Sequence, residues 1–297
     1  MEQRNFLAEQ FEQNRGHLRG VAYRMLGSLS DADDAVQESW LRLSRNGADG
    51  IDNLGGWLTT VVARVCLDML RSRQSKREEP LESSAGAERS GTSAESRAKA
   101  DPENEALMAD SVGIALLVVL DRLDPAERLA FVLHDMFDLP FDEIAGIVGR
   151  SEPATRQLAS RARRRIRGAD IAESGTLGKQ RRVVDAFLAA LRRGDVPGLV
   201  ALLDPEFSVR TDAATAAAVP QGIHGAEAWA KQAVQAARGA VFARPALIEG
   251  SVGIVIAPNG RLFRVLRLNF DGEKIAAMEI IGDKERLEQL ELAVLSD

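Results

Sequence analysis

The sequence is short of the residues that build disulfides, metal sites and membrane spans. Among 297 residues there is one cysteine, Cys66, and there are only three histidines. A single cysteine excludes an intramolecular disulfide and a zinc site built from several thiolates. No apolar run reaches the roughly 20 residues of a transmembrane helix, and the N-terminus MEQRNFLAEQF lacks the apolar segment of a signal peptide. These absences predict a cytoplasmic protein without a metal or cofactor.

Positive charge is also scarce in the chain as a whole. The formal net charge is −6, and Lys and Arg number 14 against 18 Asp and Glu over residues 1–106, 9 against 11 over 107–177, and 15 against 15 over 178–297. A nucleic-acid-binding protein of this composition must concentrate its cations locally and meet another partner with its acidic faces. The length predicts two or three domains, each able to bury a core.

The cations are concentrated between residues 150 and 167, which hold seven arginines, no lysine and one acid, Glu152. Phe141–Val148 predicts a short helix, Gly149-Arg150-Ser151 predicts a tight turn with Ser151 able to cap, and a second helix runs to about Ile166. This order is typical of a helix-turn-helix, whose second helix enters the major groove of DNA. The alternative is an exposed amphipathic helix with a solvated basic face.

We predict that the second helix of this motif binds DNA. Arginine suits the purpose because its planar guanidinium makes bidentate hydrogen bonds with phosphate and with guanine. The predicted surface consists of Arg150, Ser151, Thr155, Arg156, Gln157, Arg161, Arg164 and Arg165.

Two amphipathic helices are predicted near the N-terminus, over residues 5–27 and from a capping box at Ser30–Asp33 to about Ser44. The second helix exposes a leucine among acidic and polar side chains. That combination favours docking onto a basic, partly apolar partner, and a solvated acidic face is the alternative. The residues of the predicted docking face are Asp34, Gln37, Glu38 and Leu41.

A third helix is predicted to open at Trp57, with an apolar stripe from Leu58 to Leu70 at helical spacing. Cys66 falls in this stripe, which indicates a small core residue and not a nucleophile. The opposite face carries a mixed set of polar and basic side chains, namely Thr60, Arg64, Asp68, Arg71 and Arg73.

The composition then changes twice. Residues 74–104 are rich in Ser, Glu, Lys and Arg with one large aliphatic residue, Leu81, so they predict a linker. Helices are predicted over 105–123 and from a cap at Asp124, and a second linker over 169–178. Beyond it the pattern is α+β: helices over 179–193, 196–203 and 225–237, strands over 206–211, 250–256, 262–269 and 274–281, and a terminal helix over 284–295.

Together these segments resemble the extracytoplasmic-function (ECF) sigma factors of bacterial RNA polymerase. Residues 31–40, DADDAVQESW, are similar to the core-binding helix of their region 2, and Trp57–Arg73 is similar to their −10 reading helix. Leu123–Arg128 and the helix-turn-helix are similar to region 4, which reads the −35 element. The last 120 residues resemble a SnoaL-like, NTF2-like cone through VVDAFL at 183–188, LLDP at 202–205 and IHGAE at 223–227.

The resemblance implies a multidomain fold, with two all-α sigma domains (a region 2 helical bundle and a region 4 helix-turn-helix) followed by an α+β NTF2-like cone. It implies core RNA polymerase and promoter DNA as partners, with Trp57 either stacking near melted DNA or serving as a structural residue. We further expect the cone to contact the sigma domains and no dedicated anti-sigma factor. The expected boundaries are 1–73 for region 2, 74–104 for a flexible linker, 105–168 for region 4, 169–178 for a linker and 179–297 for the cone.

Two motifs of related fused factors are missing. Asp212–Ala216 stands where many cones have Asp-Gly-Gly-Gly-Lys, and only Glu79-Pro80-Leu81 resembles the Trp-Leu-Pro-Glu-Pro linker motif of one subgroup. Two other functions remain open from the residues alone. One is a cyclase- or isomerase-like enzyme with acid–base candidates at Asp212, His224 and Asp271; the other is a ligand-responsive DNA-binding regulator that acts without polymerase.

Overall fold

The computed structural model describes residues 2–47, 50–78, 113–167, 175–216, 225–235 and 237–295. The chain divides into two compact units. The first consists of Met1–Val112 with Leu120–Arg163, and the second of Gly113–Val119 with Arg164–Asp297. Short pieces at both ends of the predicted region 4 therefore group with the C-terminal part of the chain.

The first unit begins with three helices, α1 (Glu2–Leu26), α2 (Leu29–Asn46) and α3 (Leu54–Glu78). The rings of Phe11 and Trp40 pack at 5.1 Å between their centroids and hold α2 against α1. These helices confirm the predicted amphipathic segments.

The starts of α2 and α3 differ from the prediction. The predicted capping box at Ser30 is wrong, because extended Ser28 caps α2 and its hydroxyl accepts from the Asp31 N–H at 3.4 Å. Helix α3 begins before Trp57, since the Asn53 side chain accepts from the Gly56 N–H at 3.0 Å and caps an earlier turn.

The next helices are α4 (Ile114–Leu120), α5 (Pro125–Phe131), α6 (Phe141–Val148) and α7 (Glu152–Arg167). The predicted cap at Asp124 is confirmed, because its carboxylate accepts from the Ala126 N–H at 2.9 Å and Pro125 occupies the first turn. A π-helical turn, Val132–Met136, continues α5. Of the predicted helix over 105–123 the structure describes residues from Gly113 onward, and α4 covers only Ile114–Leu120 of it. Residues 74–78 of the predicted linker belong to α3 instead, and its residues 79–104 lie outside the described residues.

The second unit is built on a sheet wrapped around a helix, as predicted. Helix α8 (Gly175–Arg193) is followed by α9 (Val196–Leu202), α10 (Ala213–Ala216) and α11 (Ala226–Gln235). Phe187 of α8 is buried against the sheet and stacks on Trp229 at 5.7 Å. Among the described residues the strands are β1 (Leu203–Thr211), β2 (Ala243–Ile248), β3 (Ser251–Ile256), β4 (Arg264–Asp271), β5 (Lys274–Ile281) and β6 (Leu292–Ala293), in the order β1-β5-β4-β3-β2-β6.

Strand β1 lies parallel to β5 at one edge, and the remaining pairs are antiparallel. Three predictions in this unit are wrong. Strand β2 was not predicted, and Asn259-Gly260 lies in a 3₁₀ turn over Pro258–Gly260 instead of a two-residue hairpin. The predicted terminal helix stops early: α12 (Lys284–Gln289) is followed by β6, which pairs with β2.

The hairpin predicted at Asp271-Gly272 is present but shifted by one residue, because Asp271 pairs with Lys274 and the loop is Gly272-Glu273, with Gly272 at a left-handed φ of 58°. Within the described ranges no helix is long and apolar enough to cross a membrane. The same ranges contain no cluster of three or more His, Cys, Asp or Glu residues that could hold a metal ion.

Candidate nucleic-acid interface

The predicted helix-turn-helix is present. Helix α6 ends at Gly149, which adopts a left-handed conformation with φ 74° and donates its N–H to the Ala145 carbonyl at 2.9 Å. The Arg150 N–H donates to the same carbonyl at 3.1 Å, so the turn satisfies the end of α6 before α7 begins at Glu152. The apolar positions predicted on the two helices are buried: Ile144, Ile147 and Val148 of α6, and Leu158, Ala162 and Ile166 of α7.

Most of the predicted −35 surface is exposed on the turn and on α7, namely Arg150, Ser151, Arg156, Gln157, Arg161, Arg164 and Arg165. Two of these arginines are already oriented by acids. Arg156 donates to Glu152 one turn earlier on α7, and Arg161 donates through Nε to Glu127 of α5 at 2.7 Å. Such pairs fix the direction of each guanidinium while more than half of each side chain stays in solvent, at 63% and 54% exposure.

Thr155 does not belong to this surface. Its side chain is fully buried, and its hydroxyl donates to the Ser151 carbonyl at 3.0 Å. A buried hydroxyl that donates its hydrogen bond to the preceding turn cannot reach a base edge. The prediction that Thr155 contacts DNA is therefore wrong for this structure, and its function is to hold the start of α7.

Helix α3 buries the predicted stripe and presents part of the predicted −10 surface. Cys66 is fully buried, and desolvation, the largest cause, raises the pKa of its thiol to about 12, which confirms a core residue. Arg64, Asp68 and Arg71 are exposed, whereas Trp57 and Thr60 are half-buried.

Two arginines of α3 are engaged within the first unit. Arg64 donates through Nη2 to the Gly146 carbonyl of α6 at 3.4 Å. Arg73 forms an ion pair with Asp31 at the start of α2, at 2.8 Å. Each would have to exchange a protein oxygen for a phosphate oxygen in order to bind DNA.

The predicted docking face of α2 is largely exposed. Asp34 and Gln37 project to solvent, and Leu41 keeps 37% of its area exposed, as one of the few large apolar side chains that do so among the described residues. Glu38 is partly covered because it pairs with Arg42 on the next turn at 2.9 Å. The face thus combines an uncovered leucine with acids, as the sequence predicted.

A residue that the sequence did not single out links α5 to α1. Arg128 on α5 is 2% exposed and donates through Nε and Nη2 to the carbonyl of Arg24, at 3.2 and 3.1 Å, near the end of α1. It also pairs with Asp121 at 3.4 Å. Burial lowers the pKa of the Arg128 guanidinium, and the Asp121 carboxylate opposes this shift. Its only signal in the sequence was its place in the Asp-Pro-Ala-Glu-Arg segment.

The acid–base candidates of the second unit do not form a catalytic pair in the described residues. The Asp212 carboxylate accepts from the N–H groups of Gly282 and Asp283, both at 2.7 Å, and from the Thr215 hydroxyl at 2.8 Å. Asp271 is exposed in the β4–β5 turn, and His224 lies outside the described residues.

Asp212 therefore has a structural function, tying the end of β1 to the end of β5. Partial burial raises its pKa, but the hydrogen bonds from Asp283, Gly282 and Thr215 outweigh that effect and lower the pKa to about 2. A carboxylate this acidic is a poor general base near neutral pH.

Comparison with known protein families matches two regions of the chain. Residues 10–76 match Sigma-70 region 2, and residues 114–166 match Sigma-70 region 4. The chain is 33% identical over 294 residues to the probable ECF RNA polymerase sigma factor SigI of Mycobacterium tuberculosis, with 98% of each chain covered. It is 40% identical over 212 residues to ECF RNA polymerase sigma factor SigJ of the same organism, covering 68% of this chain and 64% of SigJ.

Among solved structures, the crystal structure of M. tuberculosis SigJ aligns with a TM-score of 0.44 and 29% identity, over 94% of this chain and 98% of that chain. The match to SigI spans nearly the whole of both sequences, and both sigma regions fall on the helices described above. This chain belongs to the extracytoplasmic-function family of RNA polymerase sigma factors.

Proposed function

We propose that the chain docks on core RNA polymerase through α2 and reads the −10 and −35 promoter elements through α3 and α7. Family membership makes it a transcription initiation factor rather than an enzyme. The observation that carries the proposal is the exposed arginine surface of α7, which directly follows the left-handed Gly149 turn. In a helix-turn-helix, the start of the second helix is the part that meets base edges.

In this proposal Arg150, Arg156 and Gln157 lie nearest the −35 bases and phosphates, and Arg161, Arg164 and Arg165 follow along α7. Helix α3 meets the −10 element with Thr60, Arg64, Asp68, Arg71 and Arg73, and Trp57 lies at its start. Because Arg64 and Arg73 already bind protein oxygens, their contacts with DNA require those bonds to be released first. Neither helix alone provides tight binding, since isolated phosphate contacts give weak and salt-sensitive affinity.

The docking face of α2 supports the polymerase contact. Leu41 supplies apolar area, and Asp34, Gln37 and Glu38 supply polar and acidic groups around it. A partly apolar, basic surface on the polymerase is the complement of such a face. As a subunit of RNA polymerase the chain would work in the cytoplasm.

Charge reversal on α2 tests this assignment. Asp34→Lys with Glu38→Lys should abolish binding to core polymerase and leave circular dichroism unchanged, because neither side chain lies in the apolar stripe of α2. The matched control is Glu9→Lys with Glu12→Lys, which makes the same charge change on the exposed side of α1. Copurification of the α2 variant with core enzyme at the unchanged level would show that the docking face lies elsewhere.

We also propose that the C-terminal cone regulates the sigma regions in cis, so that no dedicated anti-sigma factor is needed. Two observations in the second unit support this. The buried apolar helix segment Gly113–Val119, from the start of region 4, groups with the cone. In addition, the N–H of Val294, just after β6, donates to the Ile166 carbonyl of α7 at 2.7 Å.

Two changes test the regulatory proposal. A chain ending at Asp170 lacks the cone with which Gly113–Val119 groups, so we expect markedly lower transcription from a cognate promoter. Val294→Pro removes the N–H that binds Ile166 and should reduce activity in part, whereas Val294→Ala keeps that N–H and should not. Equal transcription by the shortened chain and the full chain, with purified core polymerase, would rule out regulation in cis.

A further inference from the structure

The second unit contains a cavity of about 400 Å³ that the sigma functions do not use. It lies beside α8, bounded on the opposite side by β3 and β4 and at one end by the segment before β4. Sites for small molecules typically have volumes of about 300–1,000 Å³ and mostly apolar walls with a few polar groups. The apolar walls are formed chiefly by Phe187, Leu188 and Leu191 of α8, with Ile254, Ile256 and Leu266 of the sheet.

The strand register explains why the sheet wall is apolar and where it becomes charged. Ile254 pairs with Leu266, and Ile256 pairs with Arg264, so these four side chains share one face of the sheet. The wall therefore runs from aliphatic residues in the interior to one arginine at the beginning of β4.

Arg264 is the one charged residue among the described residues that line the cavity. Its guanidinium carbon lies 4.7 Å from the ring centroid of Phe263, and it forms no ion pair with any residue that the structure describes. A planar guanidinium without a carboxylate partner is suited to bidentate binding of an incoming carboxylate.

Phe263 marks the opening of the cavity. It lines the cavity and yet leaves 53% of its area exposed, which is unusual for a large aromatic side chain beside an apolar space. The opening thus presents an aromatic ring and a cation to solvent, and the interior presents aliphatic and aromatic carbon. An anionic ligand with an apolar body complements both parts.

We propose that this cavity binds an organic carboxylate with a compact apolar body, the body packing between α8 and the sheet and the carboxylate pairing with Arg264. A cationic ligand is disfavoured because the lining residues that the structure describes include no acid. The site is separate from the surfaces assigned to polymerase and DNA, so its test does not depend on transcription.

Isothermal titration calorimetry of the full chain with 4-phenylbutyrate provides the test, with neutral 4-phenyl-1-butanol as the matched probe. We expect saturable one-site binding of the carboxylate and at least tenfold weaker binding of the alcohol. Arg264→Gln should weaken carboxylate binding by about tenfold or more, since a hydrogen bond to a charged group is lost, and should leave alcohol binding unchanged. Arg261→Gln, a nearby exposed arginine that does not line the cavity, is the control and should bind like the parent.

Ala233→Phe on α11 provides a second, independent variant, because its ring would occupy the cavity and should abolish binding of both probes. Thermal unfolding of each variant checks that the fold is retained. The proposal is overturned if 4-phenylbutyrate gives no saturable heat up to millimolar concentration, if the alcohol binds as tightly as the carboxylate, or if a folded Ala233→Phe variant binds undiminished. The comparison of the two probes on the unmodified chain decides the question even if Arg264→Gln fails to fold.

Discussion

The two compact units of this sigma factor use charge in different ways. The first places arginines on the surface of α7 and acids on the surface of α2, and buries one further arginine, Arg128, as an internal anchor. The second is charge-balanced in sequence from residue 178 onward, and several of its charges are bound within the unit. Arg267 pairs with Glu249 and Glu279, and Asp212 binds backbone N–H groups.

This difference separates the tasks of the two units. Charges left in solvent can steer and bind large charged partners, such as DNA and polymerase. In the second unit the charges named above are satisfied internally, and the unit adds the apolar segment Gly113–Val119 and the cavity. Substitutions in each unit test this difference.

The largest effect is expected from the buried anchor of the first unit. Arg128→Ala should lower the free energy of unfolding by about 3 kcal/mol, because it removes a packed side chain and leaves the Arg24 carbonyl without its donor. Hydrogen exchange should accelerate in α1 and α5 and stay unchanged in β4 and β5. The control is Arg163→Ala, which removes a partly exposed pair with Asp135 and should cost about 1 kcal/mol or less. Equal losses for the two variants would contradict the anchor.

How far the sequence predicts each unit depends on whether its signals are local. The helix-turn-helix was predictable because Gly149 and the repeat of Leu158, Ala162 and Ile166 are local signals, and the structure retains both. The anchor was not predictable, because Arg128 binds the carbonyl of Arg24, 104 residues away in sequence, and no local pattern indicates that partner.

The same distinction accounts for the errors in the second unit. Strand β2 contains Pro245, and a proline argues against a central strand. The proline is tolerated because β6 pairs only with Leu247 and Ile248 of β2, so the β6 side of β2 has no partner strand at Pro245. The helical pattern after Lys284 continues to Leu295 in the sequence, yet Leu292-Ala293 pairs with β2 and ends the helix. Thr155 lay among polar residues, and only the packing of α7 shows that it is buried.

The second largest effect concerns the anchor of the second unit. Asp212→Asn should lower the free energy of unfolding by about 2 kcal/mol near neutral pH, because a charged acceptor of several hydrogen bonds is replaced by an amide. Hydrogen exchange should accelerate at the ends of β1 and β5 and not in α1. Asp271→Asn, in the exposed turn, is the control and should have almost no effect.

This effect should also depend on pH in a defined direction. The folded-state pKa of Asp212, about 2, lies below the ordinary value of 3.8, so its contribution is fully present well above pH 4 and is lost as the pH falls from about 4 towards 2. Urea unfolding at pH 7 and at pH 3 should therefore show a smaller difference between the parent and Asp212→Asn at the lower pH. A difference that grows on acidification would contradict this function of the carboxylate.

A smaller effect is expected where the first unit meets the −35 element. Arg156→Ala and Arg161→Ala should each weaken promoter binding by about 1.5 kcal/mol if they contact bases. Arg156→Ala should leave the fold intact because both members of its ion pair are exposed, whereas Arg161→Ala takes one partner from the buried Glu127 carboxylate, so thermal unfolding of both variants is measured alongside. Arg261→Ala in the second unit is the matched control, and its affinity should stay at the parent value. Promoter affinity at fixed salt, measured by fluorescence anisotropy with the holoenzyme, checks all three. No loss in either α7 variant would remove that arginine from the interface.

The smallest effect is expected at the end of α7, where the two units divide. Arg164 is exposed and Arg165 takes part in a further interaction within the protein. Arg164→Ala should weaken binding evenly across promoter sequences and reduce the slope of log affinity against log salt by about 1, as expected for one lost phosphate contact. Arg165→Ala should act in the same way, since this arginine is also exposed on α7. Affinities of the holoenzyme for two promoters over a series of salt concentrations measure both quantities. If Arg164→Ala instead discriminates between the promoters at constant slope, this position reads bases, and the surface that reads sequence extends to the boundary of the second unit.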